Sequence, residues 1–298
     1  MNQQGGGAIY MLSLHAAVLL FGMAGLFGKL LPLSPLLIVA GRTFFATLAL
    51  GLFMLLGRRR PVLPSKQGAL LLALPGIVLA LHWWTFFHAI QISTVAVGLL
   101  GFAAFPMFVT LLEPFAFNES FRRLDLLTAL AVSAGLAAVA WPLDLHSGRT
   151  AGATWGMISG FLFAVLSLLN RKFVRHHGPI RTAWFQNAAA CLVLLPFTWS
   201  AAPWPITWRQ GLLLLVLGVF CTALAHGLFI YSLNAVRAQL AGVVAALEPV
   251  YGIVFAFFLL GESPSGPTLA GGALIVGTTI VAMYNRGPRR TMEGMSKG

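Results

Sequence analysis

The chain repeats itself at a spacing of 143 residues, and each copy of the repeated unit holds five apolar stretches of membrane length. Five is odd, so a second copy following directly must enter a bilayer upside down relative to the first. The unit is clearest at 238–263, AQLAGVVAALEPVYGIVFAFFLLGES, which is apolar for more than twenty residues apart from Glu248. Shifted back by 143, Pro249 falls on Pro106, Glu262 on Glu119 and Ser263 on Ser120, while Glu248 falls on Phe105. At the same spacing Gln67-Gly68 matches Gln210-Gly211, Lys29 matches Lys172 and Phe86 matches Phe229. Leucine matches mean little in such a sequence; polar, glycine and proline matches in one register mean much more.

Only 9% of the 298 residues are charged and 58% are hydrophobic. Soluble domains carry about 25% charged residues, so the composition is that of a polytopic membrane protein. The first ten residues contain no Lys or Arg, and no cleavable signal peptide is expected. A net charge of +12 suggests nucleic acid at first sight, but the cations sit mostly in the gaps between apolar runs. Orientation in a membrane explains that placement, and no nucleic-acid partner is expected. Cys191 and Cys221 lie inside apolar segments, where two isolated cysteines predict neither a disulfide nor a metal site.

Ten spans are predicted, at 9–31, 35–56, 66–90, 93–117, 122–142, 150–173, 179–200, 207–233, 238–260 and 267–285. The expected fold is an all-α polytopic membrane protein of ten transmembrane helices, arranged as two inverted five-helix repeats, 9–142 and 150–286. Connections are short and marked by Pro or Gly, and the polar tail after Arg286 is expected to be disordered. With the amino terminus inside, fifteen of the nineteen cations face the cytoplasm, among them Arg58-Arg59-Arg60, Arg122-Arg123 and the Arg171 to Arg181 cluster. Lys29, Arg149 and Arg209 fall outside, and Arg42 within the bilayer. Both termini are therefore expected in the cytoplasm of a cell (inner) membrane protein. Trp199, Trp204 and Trp208 cluster at one outer connection, as interfacial aromatics do.

The proline-containing fourth span of each half runs into Leu260-Gly261-Glu262-Ser263, echoed by Phe117-Asn118-Glu119-Ser120. With the inverted five-span halves, this resembles the drug/metabolite transporter superfamily over about residues 9–286. Within it, the chain is most similar to the EamA-type bacterial exporters, the amino-acid exporters in particular. The resemblance implies a basket-like bundle with a central substrate cavity and export of amino acids or related metabolites. Small four-span multidrug relatives use a first-span glutamate for proton exchange. Aligning their span-end lysine with Lys29 puts Phe21 there, so proton coupling by that route is not expected.

Chemistry in such a chain must reside in polar residues inside the spans. Glu248 either lines a cavity, where it binds an ammonium or carries a proton, or is a protonated carboxyl hydrogen-bonded to a neighbouring helix. Glu113, about a turn from the cytoplasmic end, reads as an anchor for Arg122 or Arg123. His82, Phe86 and Ala89 share one helical face, with Trp83 and Trp84 directed elsewhere. Gly98, Phe102, Phe105 and Leu112 form a stripe on span four that corresponds to Ala241, Ala245, Glu248 and Phe255. Trp155, Ser159 and Phe163 share a face of span six, and His226 opens a run to Phe229 and Tyr231. Such aromatic stripes are either packing surface or cavity wall, and lone histidines either packing residues or ligands. Arg42 is assigned a structural role, snorkelling to the outer surface. Gly271, Gly272 and Gly277 are expected to let helices approach closely.

The expected substrate-binding residues are His82, Phe86, Phe105, Phe163, His226, Glu248 and Tyr251. They suit a secondary carrier of amino acids, including aromatic ones, and related small metabolites by alternating access. A sugar, nucleotide-sugar or drug carrier of the same fold is the nearest rival. An intramembrane enzyme would need paired ionisable groups in catalytic spacing, and none is evident. No cofactor and no metal is expected; the partners are a small-molecule substrate and the lipid bilayer, and the chain is expected to be a monomer. Cysteines introduced at Arg60 and Trp204 test the orientation. An impermeant thiol reagent added to intact cells should label only position 204; labelling confined to 60 would overturn the topology and the inversion with it.

Overall fold

The computed structural model describes residues 3–57, 66–117, 123–144, 147–177, 179–198, 206–232, 244–245 and 247–285. Among these residues every regular element is helical. In chain order they are α1 (Gln3–Ala24), α2 (Phe27–Leu30), α3 (Pro35–Leu56), α4 (Lys66–Ile92), α5 (Val95–Phe102), α6 (Phe105–Phe117), α7 (Arg123–Ala140), α8 (Gly148–His177) and α9 (Pro179–Thr198). Next come α10 (Trp208–Gly218), a π-helical turn (Val219–Leu224), α11 (Ala225–Ser232), α12 (Glu248–Leu260) and α13 (Gly266–Asn285). The polar tail, Arg58–Arg60, Arg122, Glu119, Trp199 and Trp204 lie outside the described residues, and the side chains of Glu113 and Arg123 do too.

Short polar side chains set where several helices begin. Ser34 caps α3, its Oγ accepting from Leu37 N–H, with Pro35 in the first turn. Thr94 caps α5 in the same way through Val97 N–H. Thr207 and Gln210 form a reciprocal capping box on α10, satisfying two of the amide donors that a helix start leaves unpaired. Gly261 ends α12 in the left-handed region at φ 67°, which a side chain would strain.

Apolar and polar residues are distributed inside out compared with a soluble protein. Leu48, Leu52, Phe53, Leu55 and Leu56 of α3 are exposed, as are Phe257, Phe258 and Leu259 of α12. In water such continuous apolar surface would drive association; against lipid tails it costs nothing. Arg42, Thr43, His82, Ser159, Gln186 and Thr222 are instead buried. Five segments are long and apolar enough to cross a bilayer: Ala8–Leu30, Pro35–Leu56, Ala73–Ile92, Gly148–Asn170 and Trp208–Phe229. Shorter apolar helices cover Val95–Val109, Leu127–Ala140, Glu248–Leu260 and Gly266–Ala282. The protein is thus a helical, multi-pass membrane protein.

Packing is dense where glycines face one another. α4 lies against α8 and α9, α5 against α8 and α12, α3 against α9 and α10, α7 against α13, and α1 against α11 and α12. A Cβ on Gly101 would come within 2.8 Å of Ala153 O, and one on Gly156 within 2.8 Å of Gly98 O. α5 and α8 therefore meet backbone to backbone. Gly271 and Gly272 sit against Gly135 and Leu100, as the sequence suggests, but nothing lies within 4 Å of a Cβ built on Gly277. The expectation for Gly277 is corrected: it faces away from the helix contact.

Gly101→Ala should cost about 1–3 kcal/mol, because backbone rather than a mobile side chain must move. Gly227, with nothing within 4 Å of its would-be Cβ, should tolerate Ala without loss, since Ala favours a helix over Gly by up to about 1 kcal/mol. Thermal unfolding in detergent checks the contrast; equal midpoints for the two variants would contradict the close α5–α8 contact.

Candidate functional site

Among the described residues, the first, fourth and eighth predicted spans each carry an irregularity inside the span. The first breaks at Gly25–Leu26, between α1 and α2. The fourth breaks at Ala103–Ala104, between α5 and α6, just before Pro106. The eighth widens into the π-helical turn at Val219–Leu224, a local geometry often found at functional sites. Between and beside these irregularities lie Phe21, Phe102, Phe105, Thr222, His226 and Glu248.

The first half of the site is aromatic. His82 of α4 lies 5.0 Å from Phe163 of α8 and 5.4 Å from Phe102 of α5, centroid to centroid. Phe105 stacks on Phe102 at 5.3 Å and meets Phe163 edge-on at 5.1 Å, while Phe86 abuts Phe102 at 5.7 Å. Four predicted residues, His82, Phe86, Phe105 and Phe163, are thus brought together, with Phe102 at their centre. Ser159 fixes the histidine. Its hydroxyl donates to His82 O at 3.0 Å, so the imidazole Nδ1–H donates to Ser159 O at 3.0 Å and to Ser159 Oγ at 2.8 Å. Nε2 is left as the acceptor of the ring. Trp155, expected on the same face as Ser159 and Phe163, also packs against α4, on Trp84 and His88 at 5.5 and 5.0 Å.

The second half is more polar. His226 of α11 donates from Nδ1 to Thr222 O at 2.8 Å and meets Phe21 of α1 edge-on at 5.3 Å. Phe21 also approaches Phe229 at 6.2 Å. Tyr251 of α12 hydrogen-bonds His15 Nδ1 of α1 at 3.0 Å, so His15 holds a predicted site residue. Half-buried Glu248 starts α12, and a Cβ on Gly22 would be 2.9 Å from Glu248 O. α1 can reach this carboxylate-bearing turn only because Gly22 has no side chain. The two halves meet in a narrow cleft lined by Phe102, Phe105, Pro106, Glu248, Pro249 and Thr279. The equivalent prolines and the unequal Phe105 and Glu248 therefore share one cavity wall.

Arg42 corrects the sequence expectation. It does not snorkel: it is 3% exposed, and its guanidinium lies 3.7 Å over the Trp83 ring. Its Nε donates to Thr222 Oγ1 at 2.8 Å, and Thr222 Oγ1 in turn donates to Leu217 O at 2.9 Å. A cation–π contact and one charge-assisted hydrogen bond hold the charge inside, where depth alone suggested escape to the surface. No cluster of three metal-ligating side chains occurs among the described residues.

Two stretches of the chain, residues 8–141 and 150–284, match the EamA-like transporter family. The pseudopaline exporter of Pseudomonas aeruginosa is 28% identical over 239 residues, 80% of this chain and 82% of that one. An S-adenosylmethionine uptake transporter of Rickettsia conorii is 22% identical over 245 residues, 82% of this chain and 81% of its own. An uncharacterized transporter of Archaeoglobus fulgidus is 27% identical over 201 residues, covering 66% and 70%. A solved crystal structure 21% identical in sequence superposes with a TM-score of 0.66, covering 95% of this chain and 99% of the other, and so shares the fold.

Ser159→Ala tests how His82 is held. Losing the hydroxyl leaves His82 Nδ1 bonded to Ser159 O alone and should cost about 1 kcal/mol of stability. Thermal unfolding in detergent should show a small drop; a loss as large as that of His82→Ala would mean that Ser159 supports more than the histidine.

Proposed function

The chain belongs to the EamA-like transporter family, a family of transporters rather than enzymes, and on that premise we propose a secondary carrier of amino acids, aromatic ones included, and related small metabolites. It crosses the cell inner membrane ten times, with both termini in the cytoplasm and two inverted halves, 9–142 and 150–286, that expose the site alternately to either side. Support for the halves comes from the family's matching twice and from the packing. α4 on α8 is echoed by α11 on α1, α6 on α8 by α12 on α1, and α4 on α9 by α10 on α3. α3 with α9 and α7 with α13 each pair an element with its own counterpart at spacing 143. Such a pattern is what a pseudo-twofold axis in the membrane plane produces.

One observation carries the substrate reading: the Glu248 carboxylate shares a cleft with the stacked Phe102 and Phe105 rings. An amino acid offers an ammonium for the first and side-chain surface for the second, and pockets with few fixed polar groups on apolar walls bind small molecules in this way. The substrate-facing set is His82, Phe86, Phe105, Phe163, His226, Glu248 and Tyr251, to which Phe102 is added. S-adenosylmethionine, named for one relative, itself bears an α-amino-acid group.

Flux of L-phenylalanine into proteoliposomes tests this. Phe105→Ala and Glu248→Gln should each lower flux at least about tenfold, the scale of one lost buried contact in the site. Trp208→Ala, a ring 82% exposed at the start of α10, should leave flux unchanged. Wild-type flux in both cavity variants would sink the assignment.

A further inference from the structure

Arg42 is the only buried cation among the described residues, and its bonding is incomplete. Of five N–H donors on the guanidinium, Nε–H alone has a partner, Thr222 Oγ1. The terminal Nη groups make no hydrogen bond. They are not sealed in either: the one fully buried side-chain polar atom left without a partner among the described residues is Asn187 Oδ1. The Nη fork is therefore not fully enclosed by protein atoms. Around it stand Glu248, His82, His226 and Cys221, all within electrostatic reach. Glu248 is the only acid of this group, yet no nitrogen of Arg42 approaches its carboxylate within the 4.0 Å of an ion pair. Arg42 and Glu248 lie near enough to interact electrostatically without forming an ion pair.

The holding is built by three elements. Trp83 of α4 supports one face of the guanidinium at 3.7 Å, and Phe87 stands at 5.7 Å. The π-helical turn delivers Thr222, whose hydroxyl hydrogen is committed to Leu217 O, so its lone pairs must accept from Arg42. Arg42's own backbone is pinned, since a Cβ on Gly218 would come within 2.8 Å of Arg42 O. A charge this deep in a bilayer is costly and marks a substrate pathway by default. A planar fork with free donors suits one kind of partner, a carboxylate or similar oxyanion bound through two parallel hydrogen bonds.

We infer that Arg42 is the anion-binding residue of the carrier: its Nη fork receives the carboxylate of the cargo while Glu248 receives the ammonium. This rests on the amino-acid reading above and sharpens it. The preferred cargo carries both charges, and a decarboxylated amine is a poor substitute because it leaves the guanidinium without a partner.

Binding to purified protein of L-phenylalanine, phenethylamine (no carboxylate) and 3-phenylpropionate (no ammonium) tests the inference. Wild type should hold L-phenylalanine at least about tenfold tighter than phenethylamine, the scale of a charge-assisted hydrogen bond. Arg42→Gln should erase that margin and leave phenethylamine binding as it was. Glu248→Gln should show the reverse, weakening phenethylamine and sparing 3-phenylpropionate. If Arg42→Gln does not stay monodisperse in detergent, Arg42→Lys, which keeps charge and loses the fork, and Thr222→Val, which releases Nε, should each reduce the margin. A full margin in those variants, or equal weakening of all three ligands by Arg42→Gln, overturns the role. The underlying reading fails separately. If wild type binds neither L-phenylalanine nor phenethylamine, amino-acid transport falls. Arg42 then stands if 3-phenylpropionate binding is lost in Arg42→Gln, and falls if wild type binds none of the three.

Discussion

Inside a bilayer no water is available to a backbone amide or carbonyl, so every departure from a helix must be satisfied by the protein itself. This chain departs from helix in few places, and they converge. At the α1–α2 break Leu26 N bonds Met23 O at 3.1 Å and Gly28 N bonds Gly25 O at 3.1 Å. At the α5–α6 break Ala103 N reaches Leu99 O at 2.9 Å and Ala104 N reaches Gly101 O at 3.3 Å. In the π turn side chains take over, Thr222 Oγ1 donating to Leu217 O and His226 Nδ1 to Thr222 O. Irregular backbone is tolerated at membrane depth only where protein or a cavity surrounds it. Here the α5–α6 break lines the cleft that holds Glu248.

The proposed halves are alike in backbone and unlike in chemistry. At spacing 143, Glu248 answers to Phe105, Arg42 to Phe185, His226 to Trp83 and Ser159 to Ala16. Each polar group of the site thus has an apolar counterpart in the other half. Had both copies kept the carboxylate, two acids would line the same cleft, a costly arrangement in a medium of low dielectric. Stacked Phe102 and Phe105 fill the equivalent place instead and supply apolar surface to the same cleft. The asymmetry turns a symmetric seam into a site with one apolar wall and one polar wall.

Helical period made much of this visible in the sequence. His82 with Phe86, and Ser159 with Phe163, share faces at spacings of four, and in the structure those faces meet. Glu248 was conspicuous because a carboxylate in an apolar run has few explanations. Period says which residues share a face, not which face opposes it. That is why Phe21 was weighed only as a missing acid. Arg42 was misjudged for a related reason. Depth along α3 suggests an outward path, whereas the stabilising partners, Trp83 and Thr222, lie 41 and 180 positions away along the chain. The breaks at Gly25 and Ala103 had no sequence marker stronger than a nearby glycine or proline, residues that recur throughout the chain.

The lysine and glutamate that first revealed the repeat are explained away from the site. Lys29 donates from Nζ to Ser93 O at 2.6 Å and to Gln91 O at 3.4 Å, at the carbonyl end of α4. Glu262 Oε2 accepts from Val95 N–H at 2.8 Å, at the amide end of α5. A cation on the carbonyl end of one helix and an anion on the amide end of the next both complement the helix dipoles. Gln91 adds a third tie, its side-chain amide donating to Leu33 O at 2.8 Å. Together these contacts fasten the turn between α4 and α5 to the ends of α2 and α12. α4 and α5 bring His82, Phe86 and Phe102 to the site, so the spacing of those rings depends on the turn's being fixed. The residues that mark the repeat hold the frame, and the residues that break its symmetry belong to the proposed site.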